Sequence, residues 1–332
     1  MFVLRHIPSR PTSPVALTIG NFDGVHVGHE AMIARVIERA RQAQLASCVM
    51  TFEPHPREFF APNDAPTRLT SLREKLERFA VLGVDHVLVC RFDRAFAQIT
   101  AGDFIERILV GALDARYVLV GDDFRFGARR AGDFQMLRSA SSQFGFELER
   151  MDSVEIDGVR VSSTLIRQQL AEGDLRGAAQ LLGRPYSISG RVVRGDGIGR
   201  RLGFPTANVA MHHNRAPLMG IFAAELVGID SAPLPGAASL GVRPTVKGQG
   251  AAPVLEIHLF DFDRDIYGRR VQVRFLHKLR DEEKYSDLRA LAAAIADDVA
   301  DARAYFGLDH RSGLRTASRG PSTTSKARFN RV

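Results

Sequence analysis

The chain has 332 residues, which at about 100–200 residues per domain asks for two domains. Apolar residues at 45% and charged residues at 25% are ordinary globular composition, which excludes a disordered or fibrous chain. The formal charge of +7 invites a nucleic-acid reading, but positions 311–332 hold six basic and no acidic residues, which leaves 39 basic against 38 acidic side chains in positions 1–310. The tail is rich in Ser, Thr and Gly and has no apolar periodicity, so it reads as disordered. No run approaches the ~18 apolar residues of a membrane span. Met1 to Arg10 carries no apolar core of a secretory signal. Cys48 and Cys90 sit in strand-like apolar runs and read as buried free thiols. A cytoplasmic location is expected.

In chain order, Val15–Ile19 is a short apolar run ending at Gly20, and a helical pattern follows from about Val27 to Ala43. Ala46–Thr51 is the next apolar run. Ser71, with Glu74 three residues on, is a capping-box signature before Leu72–Phe79. His86–Cys90 reads as a strand, Asp103–Leu109 as a helix and Tyr117–Val120 as a strand. Two short helical patterns flank Gly173-Asp174. This alternation predicts a Rossmann-like α/β domain with a parallel sheet. After Gly183-Arg184-Pro185 come the β-rich runs Tyr186–Val193, Ile221–Val227, Val254–Phe260 and Arg270–Phe275, which predict an all-β barrel or sandwich. A last helix, about Asp287 to Phe306, repeats Leu288, Leu291, Ile295, Val299 and Ala302 at helical spacing. The expected domains are residues 1–183 and 184–310, followed by the tail 311–332.

The first constellation is Gly20-Asn21-Phe22-Asp23-Gly24-Val25-His26-Val27-Gly28-His29, between a strand and a helix. A helix N-terminus offers unpaired N–H groups and a positive dipole end, which suits phosphate. Glycines let a ligand approach the backbone. His26 and His29 can donate hydrogen bonds to charge developing on a phosphoryl group. No nucleophilic side chain is needed if two substrates are only aligned. Surface histidines beside a turn, or a metal pair, are the competing readings. Thr51-Phe52-Glu53-Pro54-His55-Pro56, Gly121–Gly127 and Ser162–Arg167 also fall at element ends, where open parallel sheets bind ligands. Ser163 and Thr164 could equally be helix caps.

Together these residues resemble the adenylyltransferase module of the bifunctional riboflavin kinase/FAD synthetases, over about residues 15–182. The resemblance implies that His26 and His29 contact ATP phosphates and stabilise the transition state. It places Gly20, Phe22, Asp23 and Gly28 at the ATP site, and Asp123 and Phe124 where ATP or the flavin is positioned. Ser163, Thr164 and Arg167 correspond to a mobile phosphate-binding loop.

The second constellation opens with Gly195, Gly197 and Gly199, whose backbone N–H groups could face phosphate, although a plain hairpin loop is the simpler reading. No Walker lysine pattern is present. Thr206 and Asn208 point to one side of an extended strand, which suits magnesium or phosphate. Alternation in Leu255–Phe260 puts Glu256 and His258 on one face. Asp261–Gly268 lacks the spacing of an EF-hand and is a turn. The half from 184 to 306 resembles the riboflavin kinase module of the same family, through Gly203–Asn208, Gly241-Val242-Arg243-Pro244-Thr245, Glu256–Gly268 and Leu279–Tyr285. That resemblance implies a six-stranded barrel with a terminal helix, Glu256 as general base, Thr206 and Asn208 holding Mg2+ and phosphate, ATP-site glycines 195, 197 and 199, and Arg280 near the flavin. Ser239 and Phe222 depart from the family pattern and remove side-chain hydrogen-bonding groups.

The expected function is therefore two-step: riboflavin to FMN in the C-terminal module, FMN to FAD with pyrophosphate release in the N-terminal one. The ligands would be riboflavin, FMN, FAD, ATP and Mg2+, with neither membrane nor nucleic acid as partner. A monomer or weak homo-oligomer is expected. The alternatives are a nucleotidyltransferase for another phosphorylated acceptor and a flavin- or RNA-binding regulator that uses the tail.

Overall fold

A computed structural model describes residues 1–211, 215–242 and 253–308. Arg243-Pro244-Thr245 and the tail 311–332 lie outside the described residues.

The strands β1 (Phe2–Leu4), β2 (Val15–Ile19), β3 (Ala46–Glu53), β4 (His86–Arg91), β5 (Ala115–Gly121) and β6 (Glu147–Met151) form one sheet in the order β1-β4-β3-β2-β5-β6. Every neighbouring pair is parallel. All five residues of β2 are buried, as expected for a central strand covered on both faces. From β2 the chain steps outward through β3 and β4, then returns to add β5 on the other side of β2. The crevice at the carboxyl ends of β2 and β5 is the place where such sheets bind ligands. The helix Val27–Gln42 buries Ile33, Val36 and Ala40. The helix Leu72–Leu82 starts at the expected capping box, with both Ser71–Glu74 bonds formed.

Several features differ from the sequence expectation. Strands β1 and β6 and the hairpin β7 (Glu155–Ile156) and β8 (Val159–Arg160) were not foreseen. The expected helix at 103–109 is a turn, Ala101–Asp103, running into a π-helix, Phe104–Ala112. Its wide turn places both Phe104-Ile105 and Ile108-Leu109 inward, and Leu113 N–H bonds to Ile108 O, five residues back.

The second module is a closed antiparallel barrel rather than a sandwich. Its strands are β9 (Ser187–Val193), β10 (Ala207–Ala210), β11 (Gly220–Val227), β12 (Leu234–Val242), β13 (Pro253–Leu259) and β14 (Arg270–Arg280), in the order β10-β13-β12-β11-β14-β9. Strand β10 overlaps the extended stretch read at Thr206–Asn208, whereas β12 has no β signature in the sequence. The last helix, Leu288–Tyr305, is capped by Asp287 and buries Ala302 against Ala223, Ala237 and Phe260.

The sheet has its own buried clusters, and one further cluster is common to both modules. Leu69, Ile166, Leu170, Leu175, Leu181 and Leu182 belong to the same buried cluster as the barrel residues Ile188, Phe222, Leu240, Ile257 and Phe275. The helices Ser163–Glu172 and Leu175–Leu182 are therefore the surface on which the barrel is seated.

Candidate active sites

A cavity of about 1090 Å³ opens at the β2/β5 crevice, lined among others by Gly20, Phe22, Asp23, His26, Gly28 and His29. Asp123, Phe124, Ser163, Thr164 and Arg167 line it too, so the residues expected at the nucleotide and flavin sites converge. His26 is the N-cap of the helix Val27–Gln42, and its Nδ1 accepts the His29 N–H at 3.3 Å. An accepting Nδ1 in a neutral ring leaves the proton on Nε2. The two imidazoles stack with centroids 3.6 Å apart. Burial pushes His26 down to about 4, with Arg184 and Arg167 reinforcing and Asp23 opposing. Burial also holds His29 well below its usual value, helped by His26, Lys75 and Arg184. At neutral pH both rings are uncharged donors beside a positive helix end.

Asp23 and Arg167 are engaged with one another. The Asp23 carboxylate, 5% exposed, accepts Leu69 N–H at 3.0 Å, Thr70 N–H at 3.1 Å and the Arg167 guanidinium. Arg167 Nε also donates to Thr67 O at 2.6 Å. The cap of the helix Ser163–Glu172 is Ser162, not Ser163 or Thr164. Ser163 instead donates its hydroxyl to Asp23 O at 2.9 Å, and Thr164 is exposed.

Beside Phe52, which belongs to the expected segment Thr51–Pro56, several residues in and around the cavity escaped the sequence reading. Phe52, Phe92 and Phe96 form an aromatic wall with ring centroids 5.6–5.9 Å apart, and Phe60 adjoins it. Arg57, Arg129 and Arg130 line the same cavity. Lys75 is buried and donates to Asn21 O at 2.7 Å. Its signal was legible in hindsight, because Lys75 falls on the apolar stripe of Leu72, Leu76 and Phe79. A charge on a buried stripe is rarely idle.

A second cavity, of about 290 Å³, opens on the barrel and is lined by Gly197, Gly199, Thr206, Glu256, His258 and Arg280, with further residues from the last helix. Thr206 donates its hydroxyl to Glu256 at 3.0 Å, and Asn208 is the cross-strand partner of Glu256. The alternation expected of β13 holds: Leu255, Ile257 and Leu259 are buried in the barrel, while Glu256 and His258 face the cavity. His258 Nδ1–H donates to Pro205 O at 2.8 Å and so fixes the turn before Thr206. The glycine run is not a hairpin loop. Gly195 lies against the Asn208 side chain, and Gly197, at φ +66, opens the short helix Ile198–Arg201 that contains Gly199. Arg280 lines the cavity, with its guanidinium in a two-pronged ion pair with Asp298 of the last helix, both bonds 2.6 Å. Glu282, not singled out in the sequence, meets the Ser239 hydroxyl at 3.4 Å, and burial raises its carboxyl.

Residues 9–165 match the FAD synthetase family and residues 182–306 the riboflavin kinase family. The bifunctional riboflavin kinase/FMN adenylyltransferase of Escherichia coli (strain K12) is 48% identical over 305 residues, which is 92% of this chain and 97% of that protein. The protein of the same description from Pseudomonas fluorescens is 49% identical over 287 residues, 86% of this chain and 91% of its own. A solved structure described as a macrolide-efflux protein from Streptococcus pneumoniae superposes with a TM-score of 0.76 at 27% identity, over 90% of this chain and 97% of that one. No helix among the described residues is long and apolar enough to cross a membrane.

Proposed function

The chain belongs to the family of bifunctional riboflavin kinase/FMN adenylyltransferases, and from that premise we propose how named side chains divide the two reactions. The barrel module phosphorylates riboflavin to FMN, and the parallel-sheet module transfers the adenylyl group of ATP to FMN.

In adenylylation, an FMN phosphate oxygen attacks the α-phosphorus of ATP while the bond to pyrophosphate breaks. No protein nucleophile takes part. His26 and His29 donate Nε2–H bonds to oxygens that gain charge, and the helix N-terminus adds its dipole. Gly20, Phe22, Asp23 and Gly28 shape the ATP side. Ser163 and Thr164 meet phosphate where the helix 163–172 begins, and Arg167 does so by exchanging its Asp23 partner for it. The Phe52–Phe92–Phe96 wall supplies flat apolar area for the isoalloxazine, and Asp123 and Phe124 line the same cavity. The observation that carries this reading is the stacked, neutral His26–His29 pair at a helix N-terminus inside a large cavity.

In phosphorylation, Glu256 takes the proton of the ribityl 5′-hydroxyl as that oxygen attacks the γ-phosphorus and ADP departs. Thr206 holds the Glu256 carboxylate in place through its hydroxyl. The hydroxyl of Thr206 and the amide oxygen of Asn208 are hard oxygen donors beside the Glu256 base, which fits Mg2+ bound together with nucleotide phosphates. When bound, the ion supplies charge neutralisation on those phosphates. Gly195, Gly197 and Gly199 border the nucleotide. Arg280, braced by Asp298, borders the flavin. We put the division near residue 184, a reading supported by the end of the helix Leu175–Leu182 at a left-handed Gly183 and the start of β9 at Ser187. We place the protein in the cytoplasm, as a monomer or weak homo-oligomer.

The test incubates the purified chain with riboflavin, ATP and Mg2+ and resolves the flavins by chromatography. Glu256→Gln should cut FMN formation by about a hundredfold and spare FMN-to-FAD conversion. His29→Ala should do the reverse. Loss of both steps in either variant, or no FAD from the parent protein, rejects the assignment.

A further inference from the structure

Arg184 lies in the stretch that matches riboflavin kinase and outside the stretch that matches FAD synthetase. Its guanidinium nevertheless reaches back across the module boundary. It donates to Gly24 O at 2.6 Å, to Val25 O at 2.9 Å and to Leu182 O at 2.9 Å, and it pairs with Glu30 at 3.4 Å. Gly24 and Val25 are the two residues before His26. Gly24 has φ +83, and Val25 has φ +40, a conformation that a β-branched residue adopts only when its surroundings force it. Val25 is fully buried. The carbonyls of a left-handed glycine and of a strained valine are thus presented to one fork of donors, on the side of the loop away from the cavity. Glu30, in the first turn of the His29 helix, is gripped by Arg78 as well.

The other end of the loop is tied in the same direction. Asn21 O is held by Lys75 of the helix Leu72–Leu82. That helix starts at Ser71–Glu74, and Glu74 accepts the N–H of Ser189 in barrel strand β9 at 2.6 Å.

We propose that Arg184, a residue of the kinase module, is a positioning residue of the adenylylation site, fixing the Gly24–Val25 turn so that His26 and His29 meet the phosphoryl group undergoing transfer. The proposal rests on the assignment of adenylylation to the His26–His29 pair. Arg184 touches no reacting atom, so its loss should act on kcat for FMN-to-FAD conversion and leave the KM for ATP and FMN near the parent values.

The experiment uses the full chain with Arg184→Met and Arg184→Lys and measures both reactions on each preparation. Arg184→Met should lower the adenylylation kcat by about tenfold to a hundredfold, the scale of a small misplacement of catalytic groups. Arg184→Lys, which keeps the charge and some donors, should recover part of that loss. Riboflavin phosphorylation serves as the internal measure of folding and should stay within about twofold in both variants. The pH profile gives a readout that packing alone would not move. The charges facing the two imidazoles are Asp23, Lys75, Arg167 and Arg184. Removing the cation at 184 should shift the acid limb of adenylylation to higher pH in Arg184→Met and not in Arg184→Lys. An unchanged adenylylation kcat, an equal loss of both activities, or a loss confined to KM overturns the proposal. Should His29→Ala retain adenylylation, the underlying assignment has failed instead.

Discussion

His26 is kept from protonating at neutral pH by burial. It has 7% of its surface exposed, and Asp23, which favours the cation, is already occupied by Arg167 and the Leu69 and Thr70 amides. Its folded value near 4 lies below the ordinary 6.5. Between those values the unfolded chain binds the proton and the folded chain does not, so stability falls as pH drops through that window and is regained above 6.5. For His26 alone the loss between pH 7 and pH 5 is about 2 kcal/mol. His26→Asn keeps a side chain able to cap the helix but removes the titration. Urea unfolding at the two pH values should show a smaller acid-induced loss in this variant than in the parent. An identical loss in both would mean that His26 is not the buried neutral group described.

At the scale of elements, legibility followed how local the cause was. The capping box at Ser71–Glu74 and the apolar run of β2 were readable because their determinants lie within a few residues. The His26–His29 constellation was readable for the same reason. Strand β12 was not: Leu234-Pro235-Gly236-Ala237-Ala238 has the wrong residues for a strand. It is a strand because β11 and β13 pair with it on both sides. Gly236 shows what the sequence could not. A Cβ there would run into the His258 carbonyl oxygen of β13, so the two backbones approach more closely than a side chain allows. Arg184, Lys75 and the Arg280–Asp298 pair were invisible for a related reason, since their partners are 18 to 160 residues distant. Gly236→Ala should push β13 off β12 and displace Glu256. We expect about 1–3 kcal/mol of lost stability. Riboflavin phosphorylation should fall while adenylylation persists, as both assays on one preparation would show. Equal kinase activity in Gly236→Ala and the parent would show that β13 tolerates the displacement.

At the scale of the molecule, two reactions are carried by two modules joined through one buried cluster, although the sheet also keeps clusters of its own. Leu69 and the helices Ser163–Glu172 and Leu175–Leu182 come from the adenylylating half in sequence, yet their side chains pack into the barrel's cluster. Polar ties cross the same boundary: Ser189 N–H to Glu74, Arg184 to the Gly24 and Val25 carbonyls, and Arg215 to Ala65 O. Two-domain proteins commonly unfold in two steps because their interfaces resemble transient contacts. Here, taking the barrel away would strip Ile166, Leu170 and Leu182 of their cover and leave the Glu74 carboxylate buried without the Ser189 donor. The sheet and barrel should therefore unfold together. Hydrogen exchange across a urea series, read by mass spectrometry in peptides spanning β3 and β11, should give one shared midpoint. Leu170→Ala, at a position 1% exposed within the shared cluster, should cost about 2–5 kcal/mol and move both midpoints by the same amount. A shift confined to either peptide would mean that the common core is a contact between two independently stable bodies.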